Sequence, residues 1–272
     1  MPSLTIETLS KTNAHGHRML PEKEISHLAQ SISQRKIYRE ALSKKIWPER
    51  YVRNAGSFSC GDQLQLMEKQ VCVAGCGGLG GYIASFLARV GVGKLILFDP
   101  DTFDESNLNR QLFASGETLG QNKGEVTKIK LSDINPATLV ESCDEKITSA
   151  TGEAALAQCH LVADGLDSLS DRATLSRMAR QAGIPMVHAA ISGFEARIMT
   201  LWPSGPSFEE LFGHGAQSTA EETLGTPAMT PAVAAGLQCT QIVNILLGRR
   251  QPGEPTMVHL DLLEMESASF SF

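Results

Sequence analysis

Nowhere in this sequence are two cysteines separated by two residues; the six present, at 60, 72, 76, 143, 159 and 239, form neither a C-x-x-C pair nor a dense framework. That pattern excludes a disulfide scaffold and gives no reason to expect a structural zinc; it points to reduced thiols in a reducing compartment. No apolar run approaches the length needed to cross a bilayer. The first residues, MPSLTIETLSKTNAHGHRML, lack the basic-then-apolar order of an export signal. A cytoplasmic protein without a membrane partner is therefore expected. An excess of positive charge is missing as well. The net charge is -6, which argues against a nucleic-acid platform, because phosphate-backbone affinity relies on clustered Lys and Arg.

What remains is an ordinary globular composition, 42% hydrophobic and 20% charged over 272 residues. This length suffices for one large core with an appendage and falls short of two catalytic domains. The charge is unevenly spread: seven basic and two acidic residues between Arg35 and Arg53 give a local +5, so the rest of the chain sums to -11. Such a run reads as a solvated helix face or as a dock for an acidic partner.

Two units follow along the chain. Residues 1–48 are expected to form a tail and an amphipathic helical arm, and residues 49–272 a single larger domain. Residues 1–20 have no periodicity and are expected to be mobile or loosely docked. Pro21 opens a helical pattern in which Ile25, Leu28, Ala29, Ile32, Ala41, Leu42 and Ile46 share a face until Pro48 forbids continuation. From Val71 the chain reads VCVAG, CGGLG, GYIASFLARVG, KLILFD, a complete strand, glycine turn, helix and strand. Helices near Lys123–Asn135, Gly152–Gln158, Asp171–Ala182 and Pro231–Leu247 alternate with strands near Thr138–Glu141, HLVAD, PMVHAA, EARIMTLW and TMVHLDLL. The alternation predicts an α/β fold: a Rossmann-like, doubly wound, mainly parallel sheet with antiparallel C-terminal strands and an N-terminal helical arm. Met186, Met199, Met229 and Met257 read as core fillers, and Cys239 likewise.

Gly75-Cys76-Gly77-Gly78-Leu79-Gly80 fits G-x-G-x-x-G directly after a strand and before a helix, the context in which glycines bring backbone N–H groups against phosphate oxygens. Asp99 ends the next strand, 19 residues after Gly80, where a carboxylate can accept from ribose hydroxyls. These features alone fit a nicotinamide-dependent oxidoreductase equally well. The stretches Asn107-Leu108-Asn109-Arg110-Gln111 and Gly120-Gln121-Asn122-Lys123 add cations at the sheet's carboxyl edge. Arg110 and Lys123 suit a triphosphate, whose departing pyrophosphate gathers charge. Asp164 and Asp167, in ADGLDS, are candidates to hold a magnesium ion, which takes one or two carboxylates together with phosphates and water.

RYVRN, GCGGLGG, LFDPDTFDESNLNRQ, GQNKGE, INP and ADGLDS, in this order over roughly Arg50 to Leu263, resemble the MoeB/ThiF/HesA family, bacterial relatives of ubiquitin-activating enzymes. The resemblance implies an enzyme that uses ATP and Mg²⁺ to adenylate the C-terminal glycine of a small ubiquitin-like (β-grasp) sulfur-carrier protein. It implies a nucleotide site of Gly75, Gly77, Gly78, Leu79, Gly80, Asp99, Asp101, Asn107, Arg110, Gln111 and Lys123. Catalysis would rest on Arg110, Lys123 and Asp167, with Asp167 as the Mg²⁺ ligand. Arg53, in RYVRN, matches an arginine that reaches the other subunit's site, so a homodimer is implied. The chain also departs from the family. Many members carry two C-x-x-C zinc pairs; here GPSFEE, with Ser207 and Glu210, stands at the first and the second is missing. The family's loop cysteine is replaced near Thr223. Without these anchors the Pro203–Thr230 loop is expected to move until substrate binds. A relative that activates a modified tRNA base carboxylate shares the fold and remains an alternative, as does the oxidoreductase.

Overall fold

The computed structural model describes residues 5–213, 224–253 and 256–271. The N-terminal segment, expected to be loosely docked, folds onto the domain from Thr5 onward. A one-turn helix α1 (Ile6–Leu9), strands β1 (Lys11–Thr12) and β2 (Arg18–Leu20) and, beyond two helices, β3 (Trp47–Pro48) make a small sheet in which β1 and β2 are antiparallel and β2 and β3 parallel. The reason is burial: Ile6 and Leu20 are almost completely enclosed in an apolar cluster with Ile25, Ile37, Tyr38, Ala41, Leu42 and Ile46. The single arm helix expected from Pro21 is two helices, α2 (Glu22–Leu28) and α3 (Gln34–Ser43). The break removes Ala29 and Ile32 from the shared face, and both are exposed.

Two arginines of the basic run are spent on the chain itself. Arg35 donates to the carbonyls of Gly93 (2.6 Å), Ala137 and Met67, the last residue of α4 (Cys60–Met67). Arg50 donates to Tyr38 Oη (3.1 Å) and to the carbonyl of Ile134, the last residue of the helix that follows Asn122. Each thus places a cation at the partially negative end of a helix. Arg39 and Lys44 pair with Glu68 and with Glu7 and Glu40. Replacing Arg35 by methionine would take the donor from the Met67 and Ala137 carbonyls and leave Gly93 only the Leu139 N–H. Because Arg35 is half-buried, we expect a loss of about 1–3 kcal/mol in urea unfolding, the scale for removing the donor of such hydrogen bonds.

The main sheet is built from β4 (Gln70–Ala74), β5 (Lys94–Phe98), β6 (Leu139–Cys143), β7 (Leu161–Asp164), β8 (Met186–Ser192), β9 (Glu195–Leu201), β10 (Thr256–Asp261) and β11 (Glu266–Ser271). Its order is β11-β10-β9-β8-β7-β4-β5-β6. Strands β6, β5, β4, β7 and β8 run parallel, and β9, β10 and β11 are antiparallel additions, as expected. One face packs α5 (Gly80–Val90), α6 (Lys123–Ile134) and, toward the C-terminus, a long helix over Met229–Leu246. The other packs α7 (Ser149–Leu156), α8 (Leu169–Gln181) and α9 (Phe208–Phe212); the Met229–Leu246 helix is α10. Met186, Met199 and Cys239 are buried as expected, whereas Met229 is exposed at the first turn of α10. The chain runs outward from β4 to β6, then returns to place β7 on the other side of β4. Ligands of open α/β sheets bind at the carboxyl ends flanking such a reversal.

Candidate active site

The glycine loop crosses that reversal. Gly75 has φ 88° and passes so close to the turn after β7 that a Cβ there would lie 2.6 Å from the carbonyl oxygen of Gly165. Beyond it, the N–H groups of Gly77, Gly78, Leu79 and Gly80 make no hydrogen bond among the described residues, and Leu79 offers α5 no side-chain cap. Three of them, on Gly77, Gly78 and Leu79, border the adjoining cleft and form an anion cradle at a helix N-terminus, reinforced by the helix dipole. Cys76, in the same loop, is buried, and burial pushes its thiol well up, so it is a small turn residue without nucleophilic character.

Asp99 is almost wholly buried and anchors the loop: its Oδ2 accepts from the Cys76 N–H at 2.6 Å and its Oδ1 from the Asp101 N–H at 2.9 Å. Burial raises its pKa, while those two N–H groups and Lys123 oppose the rise. Arg110 and Gln111 cover the loop from the other side. Arg110 Cγ and Cδ would lie 3.9 Å from a Cβ on Gly78, and Gln111 Nε2 3.4 Å from one on Gly77. The cleft between these elements is lined by Gly75, Gly77, Gly78, Leu79, Asp99, Asp101, Arg110, Gln111, Lys123 and Asp167. All ten are residues expected from the sequence.

Among the described residues four carboxylates border this cleft, and three are engaged. Asp99 holds backbone amides, Asp101 pairs with Lys123 at 3.1 Å, and Asp171 pairs with Lys146 at 2.8 Å. Asp167 is exposed and makes no hydrogen bond or ion pair among the described residues. It therefore presents free hard oxygen donors opposite two cations, which fits a divalent ion shared with phosphate oxygens.

Residues 51–272 match the model of the ThiF family. The chain belongs to the ThiF family. Among its relatives, the SAMP-activating enzyme E1 of Haloferax volcanii is 31% identical over 206 residues, 75% of this chain and 76% of that protein. The molybdopterin-synthase adenylyltransferase of Escherichia coli is 31% identical over 211 residues, 76% of this chain and 84% of that one. The crystal structure of E. coli MccB with ATP superposes with a TM-score of 0.70 over 91% of this chain and 82% of that one, at 21% identity, a likeness of fold. As a ThiF-family member the chain is an adenylyltransferase, and the oxidoreductase reading of its glycine loop is set aside.

Not every expected residue of this ThiF-family chain faces the cleft. Asp164, expected to share Mg²⁺ with Asp167, has no exposed surface, and its oxygens are taken by Leu166 N–H and by His188. Gly80 serves close packing: a Cβ there would fall 1.7 Å from the carbonyl oxygen of Gly75. Asn107 is turned away from the cleft, its Oδ1 accepting from the Asp104 N–H at 3.1 Å in a capping box that shapes the turn leading to Arg110. Arg53 lies in a short 3₁₀ turn, Glu49–Asn54, beside Tyr51, whose hydroxyl shares Asn135 with the carbonyl of Ala88. That places it near the C-terminal end of α5, about 16 Å along the helix from the glycine loop. It is exposed, makes no hydrogen bond or ion pair among the described residues, and does not line this chain's own cleft.

The cleft also contains residues the sequence reading missed: Lys146, Asp171, Arg172 and Thr226, with Phe98, Pro100, Ile147, Leu166 and Ile191 as an apolar lining. Arg172 alone carried a signal. It sits three residues from both Leu169 and Leu175, on the inward face of α8, where an arginine is unusual. At the site of the family's first cysteine pair, Ser207 and Glu210 form a reciprocal capping box that starts α9: Glu210 Oε2 accepts from the Ser207 N–H (2.6 Å), and Ser207 Oγ from the Glu210 N–H (3.2 Å). Of the Pro203–Thr230 loop, expected to move until substrate binds, Phe208–Phe212 form α9, and residues 214–223, Thr223 among them, lie outside the described residues.

Proposed function

We propose that the chain uses ATP and Mg²⁺ to adenylate the C-terminal glycine carboxylate of a small ubiquitin-like sulfur-carrier protein, releasing pyrophosphate. The observation that carries this reading is the juxtaposition of the unpaired N–H groups of Gly77, Gly78 and Leu79 with Arg110, Lys123 and the free carboxylate of Asp167. The N–H groups receive phosphate oxygens. The ribose fits against Asp99 and the base between Phe98, Pro100, Ile147 and Leu166. Lys123, held by Asp101 in the absence of ligand, exchanges that partner for a phosphate. A Mg²⁺ at Asp167 would supply a further positive charge to the triphosphate. The incoming carboxylate attacks the α-phosphorus, and the bond to the bridging oxygen breaks as pyrophosphate leaves with its charge spread over Arg110 and Lys123. No protein nucleophile is needed. Arg53, remote from this cleft, acts in the partner's site of a homodimer.

ATP–pyrophosphate exchange with carriers ending in Gly-Gly tests the reading. Exchange that requires the carrier supports it; exchange with tRNA and none with any carrier would replace the substrate class. Asp167→Asn should lower exchange by about 100-fold at fixed Mg²⁺. Raising Mg²⁺ should recover part of that loss, and should recover none of the loss caused by Arg110→Ala. Equal behaviour of the two variants would remove Asp167 as the metal ligand.

A further inference from the structure

Behind the cleft wall lies a polar group that the chemistry above does not use. Asp164 closes β7 and His188 lies on the neighbouring β8, both almost without exposed surface. His188 Nδ1 is 2.6 Å from Asp164 Oδ2, and Arg172 Nε is 3.5 Å from the same oxygen. Asp164 Oδ1 accepts from the Leu166 N–H at 2.9 Å, and Arg172 Nη2 donates to the Leu166 carbonyl. Phe208 and Phe212 of α9 stand edge-on to the imidazole, with ring centroids 5.4 and 5.5 Å away. Leu166, Asp167 and Arg172 all line the nucleotide cleft. Burying such groups is costly unless each is satisfied, and partly satisfied buried networks destabilise a fold. The polar contacts run from His188 through Asp164 and Arg172 to the turn that carries Asp167.

We propose that His188 is a positioning residue for the nucleotide site: by donating from Nδ1 it fixes the Asp164 carboxylate, which sets the direction of Arg172 and the conformation of the turn 165–168. Burial lowers the proton affinity of the imidazole, with Asp164 opposing and Arg172 adding to that shift. A neutral ring with Nδ1 against a carboxylate carries its one proton there. The Phe208–Phe212 pair restrains the ring on its other sides. The arrangement links α9, the segment bearing the Ser207–Glu210 capping box, to the Asp167 turn through the His188 side chain. The inference takes the identity of the ligand from the adenylation reading and its geometry from the contacts just given.

Two variants separate positioning from bulk. His188→Leu fills the space and removes the donor, whereas His188→Asn places an amide N–H where Nδ1–H stood. The Leu variant should raise KM for MgATP by about 10-fold or more, the equivalent of one hydrogen bond to a charged group. Its kcat per active site should change by less than about threefold, a split that shared ground-state and transition-state binding produces. The Asn variant should stay near wild type in both. On an Arg172→Gln background, His188→Leu should add little, because residues acting through one contact are not additive. Without nucleotide, hydrogen exchange at the Leu166 amide should accelerate in the Leu variant while the amides of β4 keep their protection. Should His188→Leu not fold, His188→Gln, whose amide lies at the Nε2 position, takes its place. Unchanged KM with unchanged Leu166 exchange, or an Asn variant as impaired as the Leu variant, would overturn the proposal. A wild-type protein inactive in exchange overturns the adenylation reading alone, since the Leu166 amide reports on His188 without any nucleotide.

Discussion

Arg110→Ala should slow ATP–pyrophosphate exchange by about 100-fold at saturating ATP, the cost of removing one preorganised electrostatic partner of a transition state. The size of the effect follows from how the side chain is held. Its aliphatic carbons lie over Gly78, and Nη1 donates to the Ser106 carbonyl and to Asn109 Oδ1, both at 2.9 Å. Asn109 in turn donates to the carbonyl of Thr226, another residue of the cleft, at 3.2 Å. The guanidinium is thus placed before ATP arrives, and no water can reproduce its charge where pyrophosphate departs. Because that charge develops as the bond breaks, kcat should fall more than KM for ATP rises. Arg110→Lys keeps the charge and loses the planar fork, so it should recover about a tenth of wild-type exchange. Exchange at the wild-type rate in the alanine variant would remove Arg110 from the reaction.

The parts of this site that were legible beforehand are those fixed by local rules. Gly75 to Gly80 and Asp99 could be read because a strand, a φ-positive turn, a helix start and an acid follow one another within about one βαβ unit. Arg110, Lys123 and Asp167 could be read from their charge and their place at the sheet's carboxyl edge, with the family resemblance in agreement, and the cleft collects all three. Residues brought in by tertiary packing were not legible. Lys146 and Asp171 meet at 2.8 Å only because the chain after β6 and the start of α8 converge on one edge of the sheet. Asp164 read as a metal ligand since sequence cannot tell a strand's last inward residue from its first exposed one. In the arm, period and proline placed the helices, but the break between Leu28 and Gln34 depends on burying Ile25 and Ile37 against one core, a tertiary demand. The basic run illustrates the same limit. Its composition suggested a partner, whereas Arg35 and Arg50 serve the carbonyl ends of α4 and α6.

The glycines of the loop should separate cleanly into structural and ligand-facing members. At Gly80 a methyl group would fall 1.7 Å from the carbonyl oxygen of Gly75 and 2.6 Å from its carbon, and both are backbone atoms that cannot rotate away. The same residue presses its Cα to within 3.0 Å of where a Cβ on Gly165 would stand, so loop, helix and the Asp167 turn meet at one point. Gly80→Ala should therefore cost about 3 kcal/mol or more, the upper range for overpacking, and lower the thermal midpoint by roughly 6–12 °C. At Gly78 the surroundings are different. A methyl group would meet the Pro231 Cβ at 3.8 Å and Arg110 carbons at 3.9 Å, ordinary contacts, and Gly78 lies at the cleft surface. Gly78→Ala should keep the thermal midpoint within about 2 °C of wild type, as a substitution without overlap does. It should nonetheless weaken ATP binding by about 10-fold or more, since the methyl group holds the phosphate off the unpaired N–H groups at a cost of at least one such hydrogen bond. Calorimetric melting and ATP titration of the two variants decide the matter. A stable Gly80→Ala protein would overturn the packing assigned to Gly80, and a Gly78→Ala protein that binds ATP as wild type does would mean that phosphate does not rest on this loop as the unpaired amides indicate.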